Sequence, residues 1–206
     1  MIDKEIGHKE RERVYLSRRF DGWCCSDLFD YYKCCSHQTE IDGLWMEFGV
    51  WMGCTLNVLS SLTDKTVYGF DSFEGLPEDW HKSEKGKLEK GRYHTKGKLP
   101  NLKNKNIQLV KGWFEDTLPN FVKEHLENCA VLHIDSDLYS SCKTILDNLR
   151  SRIVSGTVIL FDELIGHNEY SYPLFWQGEM KAWLEESFSY EYLGWTHGPQ
   201  VAVKIK

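Results

Sequence analysis

Residues 44–48 form a short apolar run that leads into two glycines four positions apart, Gly49 and Gly53, and a helix-like segment follows. This order predicts a β-strand, a tight turn and a helix start. Glycine permits the positive φ angles that such a turn requires, and the unpaired N–H groups at a helix N-terminus attract polar ligand atoms. A second apolar run ends at Asp71, 24 positions after Glu47, about one strand–helix–strand unit further on. The pattern therefore predicts a nucleotide-type binding loop, with an acidic residue placed for ribose hydroxyls.

The same alternation continues along most of the chain. Strand-like apolar runs are predicted at 44–48, 66–70, 107–110, 130–134 and 157–161. Helix-like stretches are predicted between them, at 55–62, 117–128 and 139–153. Strands that alternate with helices favour an α/β fold with a parallel sheet covered by helices on both faces. The last run is nearly all apolar, as expected of a buried central strand.

Both ends of the sequence depart from this alternation. Residues 1–40 are predicted to be a helical appendage that packs on the core, with two helical pieces broken near residues 21–22. At the other end, a helix is expected after Tyr172, and strand candidates at 190–194 and 200–205 follow it. We predict that this tail is a hairpin, so that the domain at 41–206 has a sheet with an antiparallel edge.

A long polar interval separates the second and third predicted strands. Residues 72–106 contain scattered Gly, Lys and Pro, and a loop of this length in a compact domain is usually functional or mobile. We interpret it as a lid or a substrate-side loop. The ten Lys and Arg residues between 82 and 111 are interpreted as part of a solvated loop and not as a nucleic-acid surface.

Composition argues against several classes of function. The net charge of −6 disfavours nucleic acid as a partner, and no run approaches the roughly 18 apolar residues that span a membrane. The charged start of the sequence predicts no signal peptide. Cysteine doublets at 24–25 and 34–35 fit the spacing of a zinc site poorly. We expect reduced structural thiols in an intracellular, cytoplasmic protein, with a disulfide or an incidental metal site as the alternative.

Acidic residues follow the fourth and fifth predicted strands. Asp135 and Asp137 come after the fourth strand, and Asp162 and Glu163 come after the fifth. Ligands bind beyond the carboxyl ends of the strands in open α/β sheets, so these carboxylates would converge at one edge. Converging carboxylates raise one another's pKa values, and a hard divalent cation such as Mg²⁺ relieves their repulsion. The alternative is structural, with Asp137 as a helix cap and Asp162 in a turn.

Four segments together indicate a family. They are 47–53 (EFGVWMG), 69–77 (GFDSFEGLP), 112–119 (GWFEDTLP) and 133–139 (HIDSDLY). With them the chain resembles the macrocin O-methyltransferase type of class I S-adenosylmethionine-dependent methyltransferases, which methylate sugars in macrolide and aminocoumarin antibiotic pathways. The resemblance covers about residues 44–165. It implies a Rossmann-like, seven-stranded, mostly parallel sheet.

The resemblance also implies a site for S-adenosylmethionine. The implied cofactor-binding residues are Glu47, Gly49, Gly53, Asp71, Ser72, Phe73, Trp113, Asp116 and Asp135. The first three would line the methionine and ribose side, and Asp71 would hold the ribose diol, because a carboxylate can accept two hydroxyl hydrogen bonds. Ser72 and Phe73 would flank the adenosine, and Trp113 with Asp116 would approach the adenine. Phe73 and Trp113 have plain core packing as their alternative role.

A magnesium site is implied as well, with Asp135, Asp162 and Glu163 as ligands and Asp137 as the general base. Family members commonly have two aspartates after the fifth strand, whereas this chain has Asp-Glu. The longer glutamate can still bind a metal. His133 is a second base candidate, although we expect it to be a hydrogen-bonded structural residue.

Other side chains near the expected active edge are candidates for substrate contact. They are His167, His197, Tyr170, Tyr172, Phe175 and Trp176. The four aromatic residues among them have packing of the last helix as their alternative role.

These features predict a Mg²⁺-dependent O-methyltransferase that uses S-adenosylmethionine and acts on a sugar hydroxyl. A deoxyhexose such as rhamnose, within a glycan or glycoside, is the favoured acceptor. The alternatives are a methyltransferase for a catechol-like or other vicinal diol, a non-catalytic S-adenosylmethionine-binding module, and a NAD-dependent dehydrogenase, whose turn usually has Gly-x-Gly-x-x-Gly spacing. A homo-oligomer and a role as one domain of a larger glycan-modifying protein both remain open.

Overall fold

The computed structural model describes residues 2–17, 28–166 and 172–206. The predicted helix break at 21–22, the doublet at 24–25 and the candidates His167 and Tyr170 lie outside these residues. The strands are β1 (Leu44–Phe48), β2 (Val67–Asp71), β3 (Trp80–His81), β4 (Lys87–Leu88), β5 (Ile107–Lys111), β6 (Cys129–Ile134), β7 (Val158–Phe161), β8 (Tyr190–Trp195) and β9 (Val201–Ile205). The helices are α1 (Lys4–Leu16), α2 (Leu28–Ser36), α3 (Cys54–Ser61), α4 (Phe114–Glu124), α5 (Tyr139–Leu149) and α6 (Glu179–Glu185).

Seven of these strands form one sheet in the order β5-β2-β1-β6-β7-β9-β8. The five strands from β5 to β7 pair in parallel, and β9 pairs antiparallel with both β7 and β8. The predicted mostly parallel sheet and its C-terminal hairpin edge are therefore confirmed. The reversed strand β9 lies inside the sheet, and β8 forms the edge.

Helices cover both faces of the sheet, as predicted. Side chains alternate between the two faces of a strand, so Met46 and Phe48 of β1 pack in the core with α4, α5 and α6, whereas Trp45 packs in a second core with α2 and α3. Within the described residues, no helix combines the length and the apolar character that a membrane crossing requires.

One rung of the sheet sets the position of the site. It consists of Phe70, Phe48, Ile134 and Phe161, on four adjacent strands. The residues that come next on these strands are Asp71, Gly49, Asp135 and Asp162. Because the rung is in register, these four residues lie side by side at the carboxyl edge of the sheet.

The N-terminal helices pack on the hairpin end of the sheet. The buried Glu10 of α1 accepts hydrogen bonds from the hydroxyls of Tyr190 (2.7 Å) and Tyr192. Gly7 lies directly against Trp176, where a Cβ would come within 2.4 Å of the tryptophan Cβ. Contacts of α2 reach β7, β8 and α3. The division of the chain near residue 40 stays a prediction.

Three local features differ from the sequence-based expectation. The interval 72–106 contains the two-stranded ribbon β3–β4, whose two-residue strands are too short to show periodicity. Helix α4 begins at Phe114, before the predicted start at 117. Its N-cap residue, Trp113, makes no side-chain capping hydrogen bond, so the sequence contains no capping signal for this start. The last predicted helix is divided at Gly178 into a 3₁₀ turn (Phe175–Gln177) and α6.

Candidate active site

A cavity of about 280 Å³ lies beyond the carboxyl ends of β1, β2, β5, β6 and β7. The predicted site residues that line it are Gly49, Asp71, Ser72, Trp113, Asp135, Asp137, Asp162 and Glu163. Of the predicted cofactor residues, all of which the structure describes, four do not line it: Glu47, Gly53, Phe73 and Asp116. The structure therefore brings together the proposed metal ligands, the proposed base and part of the proposed cofactor set.

The glycine-rich turn is held by Asp71. One oxygen of this carboxylate, Oδ2, accepts hydrogen bonds from the backbone N–H groups of Val50 (2.8 Å) and Trp51 (2.7 Å). The other, Oδ1, accepts one from the N–H of Phe73 (2.6 Å). Hydrogen bonds to an ionised acceptor are strong, so Asp71 fixes the segments after β1 and β2 at once. A carboxylate has about four acceptor sites, which leaves capacity for a ribose hydroxyl.

Glycine is required at position 49 by close packing. Gly49 has φ 94°, and a Cβ on it would lie 1.8 Å from the carbonyl oxygen of Asp135. No larger residue fits without a shift of backbone. The turn after β1 thus rests directly on the backbone of β6.

The four predicted cofactor residues outside the cavity have other surroundings. Gly53, with φ 75°, precedes α3, and Asp116 is exposed in the first turn of α4. Phe73 is 1% exposed and packs in the core with α2 and α3. Glu47 is buried beneath the turn. The assignment of all four to the cofactor stays a prediction.

Glu47 belongs to a buried polar network. Its Oε1 accepts a hydrogen bond from the Thr55 hydroxyl (2.9 Å), and its Oε2 lies 3.2 Å from His133 Nδ1. The other ring nitrogen of His133 lies 3.3 Å from the Tyr32 hydroxyl. Burial raises the pKa of Glu47, and the hydrogen bonds from His133 and Thr55 oppose that rise. His133 has the structural surroundings that we expected for it.

In the part of the chain that the structure describes, the carboxylates beyond β6 and β7 have no comparable set of donors. Burial raises the pKa of Asp135, and the charges of Asp162 and Asp137 raise it further. Burial also raises the pKa of Asp137 to about 8 and that of Glu163 to about 7, while the charge of Lys82 opposes both shifts. The side-chain amide of Gln200 donates to Asp162 at 3.1 Å. This part of the cavity therefore concentrates acidic side chains whose ionised forms are disfavoured.

Asp137 has an unfavourable backbone conformation. Its φ is 61°, and the N–H of Leu138 donates to the carbonyl of Ser136 at 2.6 Å, which closes a γ-turn around it. A γ-turn with positive φ is rare and strained, and strain of this kind concentrates at functional sites. The turn places the carboxylate of Asp137 on the cavity wall and explains why it does not cap α5.

Two residues that contact this acidic group were not predicted. Glu179 is fully buried, and its Oε1 accepts hydrogen bonds from the N–H (3.1 Å) and the hydroxyl (3.2 Å) of Ser136. Lys82 lies 3.8 Å from Glu163 Oε1, and its Nζ is 3.9 Å from the ring centroid of Trp80. A glutamate among the apolar residues of the last helix was the one available signal for Glu179.

The other substrate candidates that the structure describes have mixed positions. Tyr172 is buried, and its hydroxyl accepts a hydrogen bond from Trp80 Nε1 (3.3 Å). Phe175 is fully buried and packs against His8 of α1. His197 is exposed near Trp195.

The donor set of the cavity fits a magnesium ion. In the described part of the chain, no three His, Cys, Asp or Glu residues form a group that could hold a metal ion by themselves. Mg²⁺ does not need one, because it usually keeps several waters and binds through one or two carboxylates and substrate oxygens. Asp135 and Asp162 supply hard oxygen donors whose mutual repulsion a cation would relieve. Mg²⁺ is therefore compatible with these residues.

Comparison with solved structures defines the class. The calicheamicin methyltransferase CalS11 superposes with a TM-score of 0.62 over 98% of this chain and 80% of that chain, at 18% identity. That likeness, with five parallel strands, a reversed strand next to the edge and a cavity at the carboxyl edge, defines a Rossmann-like class I methyltransferase fold.

The family follows from the sequence. The family model described as Macrocin-O-methyltransferase (TylF) matches residues 31–172 of the sequence. The chain therefore belongs to this family. Demethyldecarbamoylnovobiocin O-methyltransferase of Streptomyces niveus is 28% identical over 143 residues, which are 60% of this chain and 53% of the relative. A tetracenomycin dimethoxyrhamnosyl 4'-O-methyltransferase of Streptomyces olivaceus is 29% identical over 142 residues, with the same coverage. The chain thus spans about half the length of the curated relatives it matches.

Proposed function

We propose that this protein is an S-adenosylmethionine-dependent O-methyltransferase that acts on a sugar hydroxyl with the help of Mg²⁺. One observation carries the proposal. In a chain of the macrocin O-methyltransferase family, a single cavity joins the turn held by Asp71 to the carboxylates Asp135, Asp137, Asp162 and Glu163.

The cofactor side of the cavity serves to position. S-adenosylmethionine, when bound, supplies a methyl group that is already activated by its sulfonium. Gly49 and Asp71 would bind the methionine and ribose parts, and Trp113 would cover the adenine. Correct placement of reactants can contribute several kcal/mol to rate enhancement. A rigid turn that fixes the cofactor would therefore contribute directly to catalysis.

The acidic side of the cavity serves the acceptor. Asp135, Asp162 and Glu163 would hold Mg²⁺, which when bound would stabilise the developing alkoxide of a sugar hydroxyl. Asp137 would take the hydroxyl proton on its carboxylate, and general base catalysis of this kind typically contributes about 10²–10⁴ in rate. Two adjacent hydroxyls suit this arrangement, so we propose a vicinal diol of a deoxyhexose such as rhamnose. One relative is named for a rhamnosyl acceptor, which supports this choice.

The test combines binding and turnover. Chelator-treated protein is titrated with S-adenosylmethionine and S-adenosylhomocysteine in a calorimeter and then assayed for methyl transfer to rhamnosides and catechol, with and without Mg²⁺. We expect micromolar cofactor binding and Mg²⁺-dependent methylation of a rhamnoside. Methylation of catechol alone would move the function to another diol, and cofactor binding without any transfer would favour a non-catalytic module. Activity that survives prolonged chelation would rule out the metal.

The remaining expectations stay predictions. They are the cytoplasmic location, the assembly into a homo-oligomer or a larger glycan-modifying protein, and the role of residues 1–40 as an appendage.

A further inference from the structure

Two aromatic residues from distant segments meet on the wall of the cavity. Trp51 lies in the turn after β1, and Tyr93 lies between β4 and β5. Their ring centroids are 5.8 Å apart, with the ring planes 70° from parallel. Both residues line the cavity, and Trp51 is still 51% exposed. About half of the Trp51 surface is therefore not covered by the protein and is available to a ligand.

Both residues have left-handed backbone conformations. The φ angles are 46° for Trp51 and 68° for Tyr93, a region that is unfavourable for residues other than glycine. The conformation of Trp51 is imposed by its N–H, which donates to Asp71, and by the bond from the Gly53 N–H to the Val50 carbonyl (2.7 Å). Strained residues persist where the surroundings fix them, and they cluster at ligand sites.

The cavity that the two rings line also contains the acidic group. Asp137 and Glu163 line that cavity together with Trp51 and Tyr93. The lining of the cavity therefore divides into aromatic rings and acidic side chains. Binding sites commonly combine aromatic walls with a few polar groups that set the orientation of the ligand.

This division matches the two sides of a pyranose ring. Such a ring has a face of C–H bonds, which packs on an aromatic surface, and a rim of hydroxyls, which suits carboxylates and a cation. Two rings at 70° form a corner and not a flat slot. A puckered ring contacts both walls of a corner, whereas a planar ring contacts only one of them fully.

We propose that Trp51 and Tyr93 form a stacking corner for the pyranose ring of the acceptor. In this position the corner would turn the sugar hydroxyls towards Asp137. The inference rests on the proposed sugar methyltransferase function and specifies how that site selects its substrate. It makes Trp51 a specificity-determining residue that contacts the acceptor.

The experiment measures binding and does not depend on turnover. Protein loaded with S-adenosylhomocysteine and Mg²⁺ is titrated with methyl α-L-rhamnopyranoside and with catechol by saturation-transfer NMR. The variants are Trp51→Ala, Trp51→Phe and the matched control Met52→Ala. Met52 is the next residue, is equally exposed at 53%, and does not line the cavity. Calorimetry with S-adenosylhomocysteine reports on the fold and the cofactor site of every variant.

We expect Trp51→Ala to weaken rhamnoside binding about tenfold, which corresponds to about 1.4 kcal/mol. Trp51→Phe should recover most of the loss, Met52→Ala should match the wild type, and cofactor affinity should stay within twofold throughout. In turnover assays the loss should appear in KM and not in kcat.

Three results would overturn the proposal. The first is equal rhamnoside affinity of Trp51→Ala and the wild type. The second is an equal loss of cofactor affinity in Trp51→Ala, which would assign the ring to the cofactor. The third is a wild type that binds the cofactor and catechol but no rhamnoside. Failure of the wild type to bind S-adenosylhomocysteine would instead overturn the proposed function together with this inference.

Discussion

The two sides of the cavity differ in how their acidic residues are satisfied. At the end of β2, the carboxylate of Asp71 accepts three backbone hydrogen bonds, and both of its oxygens take part. Beyond β6, Asp135 and Asp137 face other carboxylates, and the pKa of each is raised by burial and by neighbouring negative charge. The same residue type thus has a structural task on one side and a disfavoured ionised form on the other.

This difference indicates what each side needs from its ligands. The Asp71 side has its geometry before any ligand arrives, because its donors and acceptors are paired within the protein. Within the described residues, the positive charge near the Asp135 side is the amine of Lys82, 3.8 Å from Glu163. A buried group without a partner destabilises the fold until a partner binds. Substitutions at four acidic residues test this contrast, in order from the largest expected effect to the smallest.

Asp137→Asn should abolish turnover and leave the fold intact. The amide keeps the shape of the side chain but cannot accept the hydroxyl proton, so kcat should fall by about 10²–10⁴. S-adenosylhomocysteine affinity should stay near the wild-type value and Tm should not fall, which calorimetry and thermal melting can check. Full activity in this variant would reject Asp137 as the base.

Asp71→Asn should damage both stability and cofactor binding. It weakens three charge-assisted hydrogen bonds and leaves backbone donors poorly paired, which should lower the free energy of unfolding by about 2–4 kcal/mol. Denaturant unfolding measures this loss, and S-adenosylhomocysteine titration should show weaker binding. The matched control is Asp64→Asn at an exposed position. Equal stability of the two variants would contradict the structural task of Asp71.

Asp135→Asn should have the opposite effect on stability when metal is absent. It removes one charge from a mutually repelling group, so in EDTA the unfolding free energy should rise by about 1 kcal/mol, or the Tm by about 2–4 °C. Added Mg²⁺ should stabilise the wild type but not the variant. Asp64→Asn, at the exposed position that also serves as the control for Asp71, is the control here. A lower Tm for Asp135→Asn in EDTA would show that the acidic side is already balanced.

The smallest expected effect concerns the adenine end. The family resemblance assigns Asp116 to it, whereas the structure places the neighbouring Glu115 on the cavity wall. We expect Glu115→Gln to weaken S-adenosylhomocysteine binding about threefold, which is less than 1 kcal/mol. Asp116→Asn should change it less. Calorimetry on both variants decides the order, and the reverse order would favour Asp116 as the adenine contact.

The sequence predicted the acidic edge well because its signals are local. Each central strand is an apolar run of about five residues, and Asp71, Asp135 and Asp162 end or follow such runs. Once the strands are parallel and in register, these residues lie along the same carboxyl edge of the sheet. The fold class follows from the same alternation and required no long-range information.

The site residues that could not be predicted from the sequence depend on packing between distant segments. Glu179 and Lys82 reach the acidic group from α6 and from the β3–β4 ribbon, and neither lies in a periodic pattern that points there. The depth of a side chain behind the cavity wall could not be predicted from the sequence either. Glu47 and Phe73 follow the family motif, yet both lie behind the wall of the cavity, because a motif specifies residue type and order but not the direction of a side chain.

The contact between Gly49 and the carbonyl of Asp135 has a thermodynamic consequence. Gly49 packs so closely on that oxygen that no Cβ fits between them, and the N–H of Asp135 donates to the Phe48 carbonyl at 2.9 Å, so the two backbone segments are joined directly. Ligands on the two sides of the cavity should therefore influence each other's affinity, and the coupling free energy must be the same in both directions. If a bound metal ion fixed the backbone of Asp135 and thereby raised the affinity for the cofactor, a bound cofactor would raise the affinity for the metal ion by the same factor.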